Sequence, residues 1–266
     1  VSLTATYGSA LSRVELVATA LGGDATYAVV ERSLNGTLWF PTRGGLALPV
    51  ESEGAQLHDY EFFADAQTSF RITSYDDDDV QQEQFTTSIT VDLNGVAWLK
   101  SLRYPANNRP ITVVDWSDVS RPDRGAVYPV VGRSTPVGTG DLHQSPQFTL
   151  EVLTESAAQA GELDVIVAAG GTWLIHTPAG CPFPGGYVRI GQVDQTRRTR
   201  SARSDRRYFT LPCTVVTPPA PPVVGSTLNA QTLFRLYGDA NALFAAHSTG
   251  RSLLATIGSP DDQIVL

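Results

Sequence analysis

Methionine is absent from the 266 residues, cysteine occurs only twice, and charged side chains make up only 17% of the chain. The two cysteines, Cys181 and Cys213, match no zinc pattern, which needs four ligands in close local pairs. They leave a disulfide between them open without requiring one. No apolar run approaches the roughly twenty residues that a membrane helix needs; Val165 to Ala169 is typical of what the chain offers. Val1-Ser2-Leu3-Thr4 lacks the basic, apolar and small-residue layout of a signal peptide. The expectation is a soluble chain made in the cytosol, with its initiator removed or not counted, and no membrane partner. A formal charge of -8 argues against nucleic acid as a partner, because duplex binding draws most of its affinity from basic side chains that neutralise phosphates. There is no glycine loop to cradle phosphate, no Gly-x-Ser-x-Gly elbow and no His-Glu-x-x-His helix. His58, His143, His176 and His247 lie far apart. No catalytic residue, cofactor or metal site is expected, and the chain reads as a non-enzyme.

What is present is mainly β. Over residues 1–76, apolar and polar positions alternate in short runs such as Arg13-Val14-Glu15-Leu16-Val17-Ala18, broken by Gly22-Gly23, Asn35-Gly36 and Gly44-Gly45. Period two with frequent turn residues predicts a small antiparallel sandwich. Asn35-Gly36 predicts a tight primed hairpin, since that pair accepts positive φ angles, and Trp39 is expected to fill the core. The layout resembles a fibronectin type III domain of the immunoglobulin-like class, with Phe70 where that family usually has a tyrosine whose hydroxyl ties down a corner.

Asp76-Asp77-Asp78-Asp79, followed by Val80-Gln81-Gln82-Glu83-Gln84, predicts an acidic linker over 77–88. These carboxylates lack the alternate spacing and the glycine of a calcium loop. From 89 to 217 a second β-rich module is expected, with strands at 111–116, 126–131, 147–153 and 172–176. A helix over 155–168 is opened by Ser156-x-x-Gln159 and stopped by Gly170-Gly171. One helix among many strands favours a barrel or sandwich over a doubly wound sheet. A proline-rich spacer at 218–226 leads into 227–266, where Leu233-Phe234, Leu243-Phe244 and Leu253-Leu254 recur every ten residues. That period predicts short helical units that pack on one another or on a neighbour.

Two charged constellations stand out. Asp115, Asp118 and Asp123 are close enough for a carboxylate pair of the glycosidase kind, but turn residues and Arg121 and Arg124 surround them, which favours local turn-making and ion pairing. Arg197, Arg198, Arg200, Arg203, Arg206 and Arg207 place six guanidinium groups in eleven residues of an acidic chain. They are read either as protection of a hairpin edge or as an interface for an acidic neighbouring surface, Asp76 to Asp79 of another copy included; phosphate binding ranks third.

Five segments carry a wider resemblance. Gly95-Val96-Ala97-Trp98-Leu99-Lys100-Ser101, the stretch from Asn108 to Pro122 (NRPITVVDWSDVSRP), and Val130-Val131-Gly132-Arg133-Ser134 resemble minor tail proteins of long-tailed phages of Streptomyces and related actinobacteria. So do the stretch from Pro178 to Val188 (PAGCPFPGGYV) and Arg206-Arg207-Tyr208-Phe209-Thr210-Leu211-Pro212, in the same order. The C-terminal repeat is similar to theirs, with Ala230, Ala240 and Gly250 where the group favours Trp. The resemblance implies a virion structural protein of the tail tip, made in the host cytoplasm, with a barrel like that of tail-tube and distal-tail proteins. It implies a homo-oligomeric ring, hexamer or trimer, and other tail-tip and hub proteins as partners. The competing reading is a host-surface adhesin or carbohydrate-binding module, with a cell-surface glycan met by Trp39, Tyr60, Phe62 and Phe63; a cell-wall hydrolase is a third, resting on scattered acids.

Overall fold

The computed structural model describes residues 2–199 and 204–219, together with the single residue Ala245. The chain divides after Asp92 into two compact units, the second spanning Leu93–Pro218. The helical repeat expected over 227–266, and the proline spacer beyond Pro219, lie outside the described residues.

The N-terminal unit contains β1 (Ser2–Gly8), β2 (Arg13–Thr19), β3 (Tyr27–Ser33), β4 (Phe40–Pro41), β5 (Leu48–Pro49), β6 (Gly54–Asp59), β7 (Gln67–Tyr75) and β8 (Gln81–Thr90). They form two antiparallel sheets, β1-β2-β6 and β4-β3-β7-β8, with β5 also pairing β3. The period-two pattern is realised directly: Val14, Leu16 and Ala18 of β2, Ala28 and Val30 of β3, and Phe70 and Ile72 of β7 are buried. The opposite face is polar and paired across strands. Glu31 sits opposite Arg71 and accepts from it at 2.6 Å, while the Arg71 guanidinium lies 4.4 Å from the centre of the Trp39 ring.

Three expectations about this unit are corrected. Residues 77–88 are not a linker, because Asp76 to Asp79 make the turn between β7 and β8, and Gln81–Thr90 is a full strand of the sheet. Asp76 closes that turn by accepting from the Asp78 and Val80 amides and from the Gln82 side chain. The polar composition of β8 is that of an edge strand, which needs only one semi-buried face. The connection from β3 to β4 is a longer loop instead of a two-residue turn. Gly36 has a φ of +72° but Asn35 stays outside the left-handed region, and the Asn35 side chain accepts from the Thr37 and Leu38 amides. Trp39 rides on that loop, half-buried, with its indole N–H donating to Gly36, so it lies on the polar face under Arg71 and not in the core.

The second unit contains β9 (Ala97–Ser101), a 3-10 turn (Pro105–Asn107), β10 (Arg109–Trp116), β11 (Ala126–Tyr128), β12 (Val137–Thr139), β13 (Gln147–Thr154), α1 (Ala157–Ala168), β14 (Thr172–His176), β15 (Gly186–Ile190), β16 (Asp194–Arg197) and β17 (Arg207–Val215). The main sheet runs β13-β10-β9-β14-β15-β17, and β17 pairs back to β13 over its whole length, from Gln147↔Thr214 to Thr154↔Arg207. Six antiparallel strands thus close into a barrel, which removes the exposed edges that an open sheet would carry; β16 continues beside the far half of β17. Inside lie Leu99, Leu150, Val152, Trp173, Ile175, Val188, Phe209 and Leu211, and α1 adds Ala160, Leu163 and Ile166 to the same cluster.

The helix begins where its sequence signals place it. Ser156 Oγ accepts from the Gln159 amide at 3.2 Å, and the Gln159 side chain reaches back to the Glu155 amide at 2.9 Å. Ser156→Ala is expected to cost about 1 kcal/mol, read as a lower urea midpoint with an unchanged slope; a change within error would mean that packing alone holds the helix start. Lys100, the chain's single lysine, is fully buried in the wall of the barrel, its Nζ 2.7 Å from His176 Nδ1.

Candidate assembly surface

Three features of the barrel unit are candidates for function: the arginine hairpin, a long arm, and a cleft. The hairpin is built by β16 and β17, whose last rung pairs Arg197 with Arg207 and is followed by a bond from the Arg198 amide to the Arg206 carbonyl. Glu155, just before α1, receives Arg206 in a close ion pair and has Arg198 at 3.9 Å. Arg207 turns back onto the Ser204 and Arg206 carbonyls. Arg200 and Arg203 lie outside the described residues. Arg197, Arg198 and Arg206 are exposed at the margin strand of the sheet, where positive charge opposes unwanted strand pairing, so each such pair is worth at most about 1 kcal/mol.

Between β10 and β13 the chain leaves the barrel for some thirty positions. Its base is zipped to β13 by reciprocal bonds between Ser120 and Gln147 and by the Ser117 amide to the Thr149 carbonyl. Beyond that it forms a free-standing hairpin of β11 and β12, three residues each. Val127, Tyr128, Val131 and Leu142 are 69%, 56%, 103% and 81% exposed. The acids singled out near its base serve its turns: Asp115 accepts from the Trp116 amide and Asp123 from the Gly125 amide.

At the other end of the same two strands lies a cleft of about 390 Å3. Its walls mix apolar and polar groups: Val96, Arg109, Ile111, Thr112 and Val113 on the barrel, Thr154 at the end of β13, Gln159, Glu162 and Leu163 on α1, and Cys181 and Phe183 on the connection from β14 to β15. It exists because β9 pairs β10 only from Arg109 to Ile111, while β13 accompanies β10 as far as Trp116. One residue, Val114, is bulged out of that second ladder, and a bulge bends and twists its strand. The Arg109–Glu162 pair, 3.1 Å apart, stands at the rim.

The histidines are scattered among these elements. His58 is on β6, where burial, then Arg13, holds its pKa below the ordinary value; His143 is exposed in the arm, near Asp123; His247 is outside the described residues. Both cysteines are free thiols. Burial inside the barrel pushes the Cys213 thiol up to about 12, which leaves roughly one thiolate in ten thousand at pH 8. Mild alkylation of the folded chain at that pH is expected to spare Cys213, with full modification only after denaturation; peptide mass spectrometry reads the difference.

Neither the arm nor the cleft follows from local sequence rules. The signal for the arm is compositional: Pro122, Gly125, Pro129, Gly132, Pro136, Gly138 and Gly140 interrupt what lies between two strong strand patterns. No protein-family model matches the chain, and no curated protein matches it.

Proposed function

We propose that the chain is a structural component of the tail tip of a long-tailed phage, a minor tail protein that assembles around the distal tail or hub. The observation that carries this reading is the closed antiparallel barrel with one flanking helix, bearing a projecting apolar arm whose only evident use is contact with another molecule. The fold is an analogy on its own; the ordered resemblance of five segments in this unit gives it a direction. Heterologous contacts between rotated copies close into rings when the rotation allows, and a hexameric or trimeric ring is the assembly proposed. We read the N-terminal unit as a fibronectin type III-like module, since its sheets pair in the order β1-β2-β6 and β4-β3-β7-β8, and assign it a role in decoration or host attachment. No catalytic residue, cofactor, nucleic acid or membrane enters the reading. The test is mass spectrometry of purified particles of the phage that encodes the chain: several copies per virion are expected, and absence of the chain would sink the proposal.

A second reading, a host-surface adhesin binding glycan, is favoured by the end of the β3–β4 loop and the start of β4, where Leu38 and Phe40 are 64% and 56% exposed. Of the other aromatics considered for that role, Phe62 is buried in the core, and Tyr60 lies edge-on to His58. Retention of the full chain on host cell walls, lost in Phe40→Ala, would support it; equal retention of the variant would exclude that loop.

A further inference from the structure

We propose that the C-terminal segment 227–266 docks on the outward face of the β3–β4 loop of its own chain, covering Leu34, Leu38 and Phe40. This docking is independent of the tail-tip reading, since it concerns one chain alone, and it gives the loop a resident partner in place of a glycan. Three observations carry it.

The loop is built with its polar groups inward. Ser33 Oγ accepts from the Asn35 and Gly36 amides at 3.3 and 2.9 Å, and the Asn35 side chain accepts from the Thr37 and Leu38 amides at 3.0 Å each. The Trp39 indole donates to the Gly36 carbonyl at 3.1 Å, and the Arg71 guanidinium over its ring fastens the loop to β7. What the loop turns to solvent is apolar: Leu34, Leu38 and Phe40 are 56%, 64% and 56% exposed. Three large apolar side chains within seven residues, held in a hydrogen-bonded frame, mark a contact surface. Phe40 is on β4, at the margin of its sheet.

The chain passes beside this patch just before the repeat. The Arg43 guanidinium donates to the Pro219 carbonyl at 3.1 Å and to Glu61 at 3.0 Å with the same nitrogen. Phe40 stands three positions before Arg43, at most about 11 Å of chain away. Leu233, which opens the apolar repeat, is fourteen positions beyond Pro219, a reach of up to about 50 Å when extended. A segment tethered this close acts at about millimolar effective concentration, which any free competitor has to exceed. That tether selects the occupant.

The segment itself requires a surface. Leu233-Phe234, Leu243-Phe244 and Leu253-Leu254 recur every ten residues, punctuated by Gly238, Gly250 and Gly258, and only five of the forty residues over 227–266 are charged. Units of about two helical turns fall below the roughly twelve to fifteen residues at which an isolated helix becomes even marginal. Their apolar pairs are stabilised by packing on another apolar face, and Leu34, Leu38 and Phe40 present one within reach.

The experiment uses the full chain with Phe40 replaced by p-benzoylphenylalanine, which the exposure of that side chain accommodates. Irradiation in dilute solution is expected to join position 40 to a peptide within 227–266, in a product that keeps the mass of one chain; peptide mass spectrometry locates the bond. A bond to any other segment, a product with the mass of two chains, or no bond at all overturns the docking, and in the last case the glycan reading regains the loop. Hydrogen exchange supplies a second readout. Phe234→Asp with Phe244→Asp, in the full chain, is expected to speed amide exchange over 34–41 by at least about threefold while leaving 147–154 and 207–215 unchanged. Equal exchange over 34–41 in variant and wild type also overturns the docking. Neither result touches the tail-tip reading, which virion content decides.

Discussion

Replacing Trp173 with Ala is expected to cost about 3–5 kcal/mol and to melt the barrel unit near room temperature. Trp173 is 1% exposed and is among the largest side chains fully enclosed by the protein. It sits on β14 opposite Ser101 of β9 and Val188 of β15, in the cluster that also takes in Ile166 of α1. Truncation removes the indole's transfer free energy and leaves a void, and the barrel resists collapsing to fill it because β14 is paired on both sides, to β9 and to β15. Domains of ordinary stability have only about 5–15 kcal/mol to lose. Hydrogen exchange read by peptide should show the loss over 97–101, 147–154, 172–176 and 207–215. Protection retained across those peptides would mean that the barrel is held chiefly by its ladder and not by its core.

The second large effect concerns Asp59, at the end of β6. Its carboxylate is 1% exposed, accepts from Arg32 at 2.7 Å and from the Glu61 amide at 2.9 Å. Arg32 also reaches Glu61 at 3.7 Å, and Arg43 holds the other oxygen of Glu61 at 3.0 Å. Two arginines and two acids therefore share one poorly hydrated corner, a balanced set in which each charge offsets the desolvation of another. Asp59→Ala strips one member and leaves excess positive charge there, at an expected cost of about 3–5 kcal/mol. Asp59→Asn keeps an acceptor for the Glu61 amide and should cost less. Added salt should not restore either variant, since buried pairs are screened weakly. Exposed Glu155 with Arg198 and Arg206 is the contrast: its removal should cost at most about 1 kcal/mol. Urea midpoints at low and high salt check all three, and near-neutral Asp59→Ala would show that the corner is wetter than its geometry implies.

Both effects fall on residues that carried no special mark in the sequence. Trp173 was one apolar position in a strand pattern; Asp59 was one polar residue among many. What the pattern did convey was local. Alternation located strands such as β2 in the first 76 residues, because burying one face of a pleated strand demands period two, and short apolar runs located β10, β13 and β14. Ser156, Gln159 and Gly170-Gly171 bounded α1, because the free N–H groups at a helix start need acceptors and its end needs a left-handed stop. The same local reading failed where composition stood in for geometry. The polar run 77–88 looked like a linker, yet an edge strand and an aspartate-closed turn have that composition too. Trp39 looked like a core filler, yet an indole over an arginine on a half-wet face is equally stable.

The arginine run was legible as a charged hairpin margin, whereas the partner that ties Arg206 down, Glu155, comes from fifty positions away. The cleft was not legible at all, since it is the place where β9 stops and β10 continues, a mismatch between two strands that no single segment encodes. By itself, then, the sequence determined a mainly β chain, the faces buried by strands such as β2 and the limits of its helix, since each depends on neighbours within a few residues. Only the tertiary structure decided that β17 returns to β13, that six strands close, that Asp59 is enclosed, and that the arm and the cleft stand at opposite ends of the barrel. Those depend on pairings between distant segments, chosen by the joint packing of one core and not by any local preference.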